Sequence, residues 1–202
     1  MKWGTTYGYP LVIQFEDVDY QRVVHHPNYL KYFERARVDA IAAAGYSFSE
    51  MLQDGYGLVV ADARIRYRSP LVFGIPAFVQ SRLAAVASAS FRLRQVLHDG
   101  SQERISAFES ADIDDWDQLK PYAALADIVL VHVATGEGTP TSQTSDQSTS
   151  QTRGQTRTAP HTGPEPFTAR MLSMMGIQSI AERGSIDAAA RSLLRSSKVR
   201  IT

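Results

Sequence analysis

The stretch that decides the fold is FEDVDYQRVVHHPNYLKYFERARVDAIAAAG, Phe15–Gly45. Its second half reads as one long helix. Pro27 suits a first helical turn, because its missing N–H would have no partner there in any case. Gly45 suits the position past the last turn. Between them Tyr29, Tyr32, Phe33, Ala36, Ala40, Ala43 and Ala44 recur at spacings of three and four. That period marks one apolar face. Lys31, Glu34, Arg35 and Arg37 fall mostly off it. The small alanines allow a sheet to approach the helix closely.

Outward from this helix the pattern changes to strands. Leu11, Val12, Ile13 and Phe15 predict a short strand before it. A short helical turn is expected at Phe48–Gln53, then a strand over Gly57–Ser69. In that strand Ile65 and Tyr67 face one way and Arg64, Arg66 and Arg68 the other, the period of two that marks a strand. Further strands are expected at Ala77–Ala87, Ser90–Leu97 and Ala123–Val133. His98-Asp99-Gly100 reads as a turn, and residues 101–121, polar and acidic, as an inserted loop. One helix packed into a mostly antiparallel meander is an α+β arrangement.

Beyond Thr135 the composition shifts to Thr, Ser, Gln, Gly and Pro, with no Leu, Ile, Val or Phe until Phe167. Such a stretch cannot bury enough apolar surface to offset its ordering entropy. The expected organisation is therefore a main domain over 1–138, a disordered linker over 139–166 and a helical extension over 167–202. Helices are expected at Phe167–Ile180 and Ser185–Ser196, the second with Arg191, Arg195, Lys198 and Arg200 toward its C-terminal end.

Composition narrows the function classes. The chain has 202 residues, 44% hydrophobic and 21% charged, with a formal net charge of zero. It can bury a core, and no basic excess draws it to nucleic acid or anionic lipid. Without cysteine it has no disulfide scaffold, thiolate zinc site or cysteine nucleophile. His25 and His26 show no metal-ligand spacing with His98, His132 or His161, so no metal is expected. No apolar run approaches the ~18 residues of a membrane span. The opening MKWGTTYGYP lacks the pattern of a signal or transit peptide, so a cytoplasmic protein is expected.

The chemistry concentrates between Phe15 and Arg37. An acidic loop runs straight into a helix start, which aims N–H groups and positive partial charge at a ligand. Asp19 just upstream can cap or brace the loop, activate water, or attack a carbonyl itself. A carboxylate plus a backbone donor is the minimum apparatus for acyl transfer. Arg64, Arg66 and Arg68 are either a solvated face or a cationic shelf for phosphates. Glu34 has an ordinary reading, pairing with Arg37 at i+3.

The combined spacing Asp17-x-Asp19-x-x-x-Val23-Val24-x-His26-Pro27-Asn28-Tyr29-Leu30-x-Tyr32-Phe33-Glu34-Arg35-Ala36-Arg37 resembles the hot-dog thioesterases of the 4-hydroxybenzoyl-CoA thioesterase type. Val59-Val60, Ile65-x-Tyr67-x-x-Pro70, Val131-x-Val133 and Thr135-Gly136 extend the resemblance over roughly residues 9–138. It implies a hot-dog fold, a curved antiparallel sheet wrapped around one long helix. It implies hydrolysis of an acyl-CoA thioester without metal or redox cofactor, at a site shared between subunits of a homodimer or homotetramer. The family's essential acid falls on Asp19. Its carbonyl-polarising N–H falls on His26. His25 and Tyr29 are implied pocket residues, and Arg64, Arg66 and Arg68 the CoA shelf. Two departures stand out: Arg22 replaces the family's usual glycine, and Phe73-Gly74 replaces an acidic pair. A hot-dog protein that binds acyl-CoA without turnover, or serves as an interaction module, is the alternative expectation.

Overall fold

A computed structural model describes residues 6–99, 115, 121–135 and 164–176. Chain order is β1 (Thr6–Val12), α1 (Asn28–Ala43), α2 (Phe48–Gln53), β2 (Tyr56–Tyr67), β3 (Pro76–Val86), β4 (Ser90–His98), β5 (Ala124–Ala134) and α3 (Ala169–Met174). The strands form one antiparallel sheet in the order β1-β3-β4-β5-β2, so β1 and β2 are its edges. Register slips by one residue between Val60 and Asp62, and again between Leu83 and Ala85. Such bulges bend a strand and increase its twist. The sheet packs α1 on one face, the arrangement the resemblance implies.

α1 ends as its sequence requires. Gly45 adopts φ +95°, which a side chain resists, and its N–H donates to the Ala42 carbonyl at 2.9 Å. Inward, Phe33, Ala36 and Ala40 are fully buried against Val79, Leu93, Leu97 and Ala126. Gln95 stands among these apolar side chains. Its amide donates to the Phe33 carbonyl at 3.0 Å and to the Ser81 hydroxyl at 2.9 Å, tying the sheet to mid-helix. α2 carries a reciprocal cap: Ser47 Oγ accepts from Glu50 N–H at 3.3 Å, and Glu50 accepts from Ser47 N–H at 2.8 Å.

Several elements differ from expectation. β1 starts at Thr6 and stops at Val12, and Phe15–Asp17 forms a 3-10 turn, because Asp17 bonds back to Gln14 N–H at 3.1 Å. His98 belongs to β4 and not to a turn. It is buried, with Nε2 2.9 Å from the Gln80 side-chain oxygen on β3. The buried residues of α1 come as neighbouring pairs four apart, 28/29, 32/33, 36/37 and 40/41, a broader arc than the alanine stripe suggested. Arg37 is therefore buried and Ala43 exposed. Burial pushes the Arg37 guanidinium down, and Glu34 works against that shift.

The segment beyond the Ser/Thr-rich stretch returns to the sheet. Pro164 bridges Val133, Glu165 N–H donates to the His132 carbonyl at 2.9 Å, and Phe167 N–H to the Ser88 carbonyl at 3.0 Å. The end of the expected linker is thus placed against β5. α3 follows, shorter within the described residues than the expected Phe167–Ile180. Phe167, Met171, Met174 and Met175 join the main core. Arg170 pairs with Glu50 and with Asp54 (3.2 Å), and its guanidinium lies 4.3 Å over the Tyr46 ring. The body of the inserted loop, the linker from 136 to 163 and the expected helix Ser185–Ser196 lie outside the described residues.

Candidate functional site

The loop before α1 is a tight hairpin. Val18 and Val24 form an antiparallel bridge, and Val23 bridges Val72. Asp19 N–H donates to the Val23 carbonyl at 3.0 Å, and Arg22 N–H to the Asp19 carbonyl at 2.9 Å. One carboxylate oxygen of Asp19 accepts from Gln21 N–H at 2.8 Å, the side-chain turn that Asp favours. Asp19 is half-buried. At the tip Arg22 has φ +64°, the one positive φ outside glycine among the described residues. A residue with a Cβ meets roughly 1–2 kcal/mol of strain there. The resemblance expects glycine at this position, and the backbone keeps the glycine-like conformation with arginine in it.

Asp17 anchors the hairpin to the helix. It is 5% exposed. Its carbonyl accepts from His25 N–H at 2.9 Å and from the Asn28 side-chain amide at 3.0 Å. Asn28 is buried at the first position of α1, so one side chain joins loop and helix start. Beside it, the Tyr32 phenol is pushed up by burial and by the Asp17 carboxylate. Leu71 completes the anchor: its carbonyl accepts from Val24 N–H at 2.8 Å, and its N–H donates to the Tyr29 hydroxyl at 3.3 Å.

His26 stands where this loop becomes helix. Asn28 N–H is used by the His25 carbonyl at 2.9 Å, and Pro27 has no N–H. His26 N–H has no acceptor among the described residues. It lies at the positive end of a 16-residue helix. Tyr67 donates its hydroxyl to the His26 carbonyl at 3.2 Å, and its ring meets Tyr29 edge-on at 5.2 Å. The C-terminal end of β2 thereby reaches the helix start, while Arg64 and Arg66, alternating with Tyr67, face the opposite side of the sheet. Arg64, Arg66 and Arg68 are all exposed.

The other expected site residues fall in different places. His25 and His26 are both exposed, with rings 4.9 Å apart and edge-on, so the two side chains lie together. Tyr29 is 4% exposed and sits in the core, where burial pushes its phenol up; its contact with the site is the bond to Leu71. Glu34 is exposed on the far side of α1. There it lines a groove of about 490 Å³ with Tyr9, Lys31, Arg35, Val38 and Asp39. Asn28 and Tyr67 were missed as positioning residues. The signal for Asn28 was an amide directly after the helix-opening proline. Tyr67 had no local signal, because its partner is 41 residues away. Among the described residues no group of three His, Asp or Glu side chains is placed to hold a metal ion.

The geometry supplies a carboxylate on a braced hairpin, an open backbone donor at a helix start, and exposed guanidinium groups on the adjoining strand. The chain matches the family model of the Thioesterase-like superfamily over residues 13–157. It is 38% identical over 61 residues to a provisionally named esterase of Aquifex aeolicus, covering 30% of this chain and 48% of that protein. It is 23% identical over 91 residues to the acyl-CoA thioester hydrolase YbgC of Escherichia coli, covering 45% and 68%. The chain spans about half the length of the first curated relatives it matches. Among solved structures, Staphylococcus aureus SAV2348, determined in complex with CoA, superposes with a TM-score of 0.57. The identity is 13%, over 92% of this chain and 87% of that one. That likeness shows the hot-dog fold, and with the family match it fixes the conclusion that the chain belongs to the thioesterase-like superfamily.

Proposed function

We propose that this protein hydrolyses an acyl-CoA thioester to a free acid and CoA. The observation that carries the reading is the hairpin–helix junction. It holds the Asp19 carboxylate and the open His26 N–H on one continuous, braced piece of backbone. The carbonyl oxygen of the thioester takes the His26 N–H, where the helix start stabilises the negative charge that develops. Asp19 takes a proton from water as the water oxygen adds to the carbonyl carbon. The C–S bond then breaks, and the CoA sulfur leaves with the proton. Direct attack by the carboxylate would give an anhydride that water opens, with the same net balance. Neither route calls on a metal or redox cofactor.

The exposed guanidinium groups of Arg64, Arg66 and Arg68 suit the phosphates of CoA. Among the described strands β2 is an edge, with Val59, Val60 and Tyr67 between 42% and 49% exposed. Such an edge needs a partner, which favours a homodimer or a homotetramer with the site near the interface. No described helix is long and apolar enough to cross a membrane.

The test is release of free CoA thiol from a panel of short aliphatic and aromatic acyl-CoA thioesters. Asp19→Asn keeps the shape and removes the base. We expect kcat to fall by ~10²-fold or more with acyl-CoA binding retained. His26→Ala leaves the backbone donor in place and costs less. A folded Asp19→Asn protein with wild-type turnover refutes the mechanism. A wild-type protein that binds acyl-CoA and hydrolyses none of the panel makes it a binding protein instead.

A further inference from the structure

Apolar side chains stand exposed beside the candidate site, and they are not scattered. Among the described residues eleven large apolar side chains are exposed. Five of them, Val12, Phe15, Tyr20, Val72 and Phe73, belong to the hairpin before α1 and to the segments next to it. The Phe15 and Phe73 rings meet edge-on at 5.8 Å. Gly74 N–H donates to the Ile13 carbonyl at 3.2 Å, which holds the turn carrying Phe73 against the chain leaving β1. A single exposed apolar residue needs no explanation, whereas a contiguous patch marks a binding surface.

The backbone register aligns this patch with Asp19. Tyr20, Gln21 and Arg22 form a three-residue hairpin loop whose last member is left-handed. Val18 bridges Val24, so Asp19 stands directly opposite Val23, to whose carbonyl its N–H donates. Val23 in turn bridges Val72. Residues directly opposite one another share a face, so Asp19, Val23 and Val72 make one row. The alternate row, Val18, Val24 and Leu71, turns into the core, with Val24 4% and Leu71 2% exposed. The outward row is open: Asp19 and Val23 are half-buried and Val72 is 41% exposed. Phe73, with Phe15 against it, follows at the far end.

We propose that this row seats the acyl chain of the substrate, and that the acyl group is apolar and of medium length. The inference rests on the reading of Asp19 and His26 as the pair that meets the thioester. With the carbonyl held there, the chain runs along the row and meets Val23 first and Val72 second. Two cross-strand steps of ~5 Å each make the row about 10 Å long. An extended alkyl chain advances ~1.3 Å per carbon, from ~1.5 Å bonds at tetrahedral angles. About eight carbons therefore reach Val72. Val23, Val72 and the two phenyl rings carry no side-chain donor or acceptor, so a hydroxylated or charged acyl group loses its water there without replacement. The occupant is argued from the carboxylate at one end of the row. A second copy of the chain is the competing occupant, and the test separates the two.

S-alkyl-CoA thioethers measure this without turnover, because they lack the carbonyl and cannot be hydrolysed. Calorimetric titration of the full-length protein with the ethyl to decyl series should show Kd falling roughly twofold per methylene, against roughly fourfold for a fully buried one, because the row is open on one side. The gain should level off at about eight carbons. Val72→Asp should stop it at about four carbons, the length that reaches Val23 alone. Leu52→Asp charges another exposed apolar side chain, on α2, and should keep the wild-type pattern. Sedimentation of both variants reads their assembly, and far-UV circular dichroism checks that they remain folded. A Kd independent of chain length overturns the proposal, also in an enzyme that turns over acyl-CoA. So does a Val72→Asp protein that keeps the full dependence, or one that loses it only by dissociating into monomers, which gives the patch to a second copy. A dependence that breaks at Val72 in an intact assembly supports the proposal even where no acyl-CoA is hydrolysed, and only the catalytic reading then falls.

Discussion

Arg22→Gly tests the hairpin that carries Asp19. Arg22 holds φ +64° and its side chain is exposed, its one recorded bond being the backbone N–H to Asp19. Removing the side chain therefore costs little contact energy. Relief of the left-handed strain contributes about 1–2 kcal/mol. The greater freedom of glycine in the unfolded chain takes back about 0.5–1 kcal/mol. The balance is a stabilisation of up to about 1.5 kcal/mol. With a urea slope near 2 kcal/mol/M, the unfolding midpoint should rise by up to roughly 0.7 M. Arg22→Ala keeps the strain and should leave the midpoint nearly unchanged. Arg22→Asn should fall between them, because Asn tolerates this region better than Ala. The order Gly above Asn above Ala is the signature. A midpoint lowered by Arg22→Gly would mean that the arginine side chain holds the loop, and the strain argument would be wrong.

The remaining expectations rest on other contacts. Asp127→Ala removes the two-point partner of the buried Arg94 guanidinium, whose side chain is 3% exposed, and should cost about 1.5–3 kcal/mol in urea unfolding; an unchanged midpoint would mean that the pair contributes nothing. The hydrogen bond to Asp39 pushes the Tyr7 phenol up to about 12, with burial adding to the shift. A phenol raised in the folded state contributes stability that is complete below its unfolded value near 10 and is lost as pH rises through about 12. Tyr7→Phe should therefore remove one late-titrating tyrosine from the alkaline absorbance titration, and a loss from the group titrating near 10 would contradict the Asp39 contact.

The sequence by itself determined the parts of this protein that depend on neighbours along the chain. α2 falls at Phe48–Gln53 as expected, because Ser47 and Glu50 form a cap within a single turn. α1 follows from a period of three and four bounded by Pro27 and Gly45. That Asp19 lies in the loop before α1 and His26 at its start was legible because a few consecutive residues build both. Tertiary structure decided what depends on distant partners. Asp17 is the buried anchor because His25 and Asn28 converge on its carbonyl, a contact with no periodicity to betray it. Arg37 is buried because the inner face of the sheet receives a broad arc of α1, and Tyr29 serves Leu71 because β3's approach lies beside that helix. Residues 164–176 rejoin the core through Phe167 and the methionines, and Arg170 finds Glu50 and Asp54 across more than a hundred residues of chain. Local propensity acts within a turn or two, whereas burial is set by whichever surfaces the folded sheet brings together.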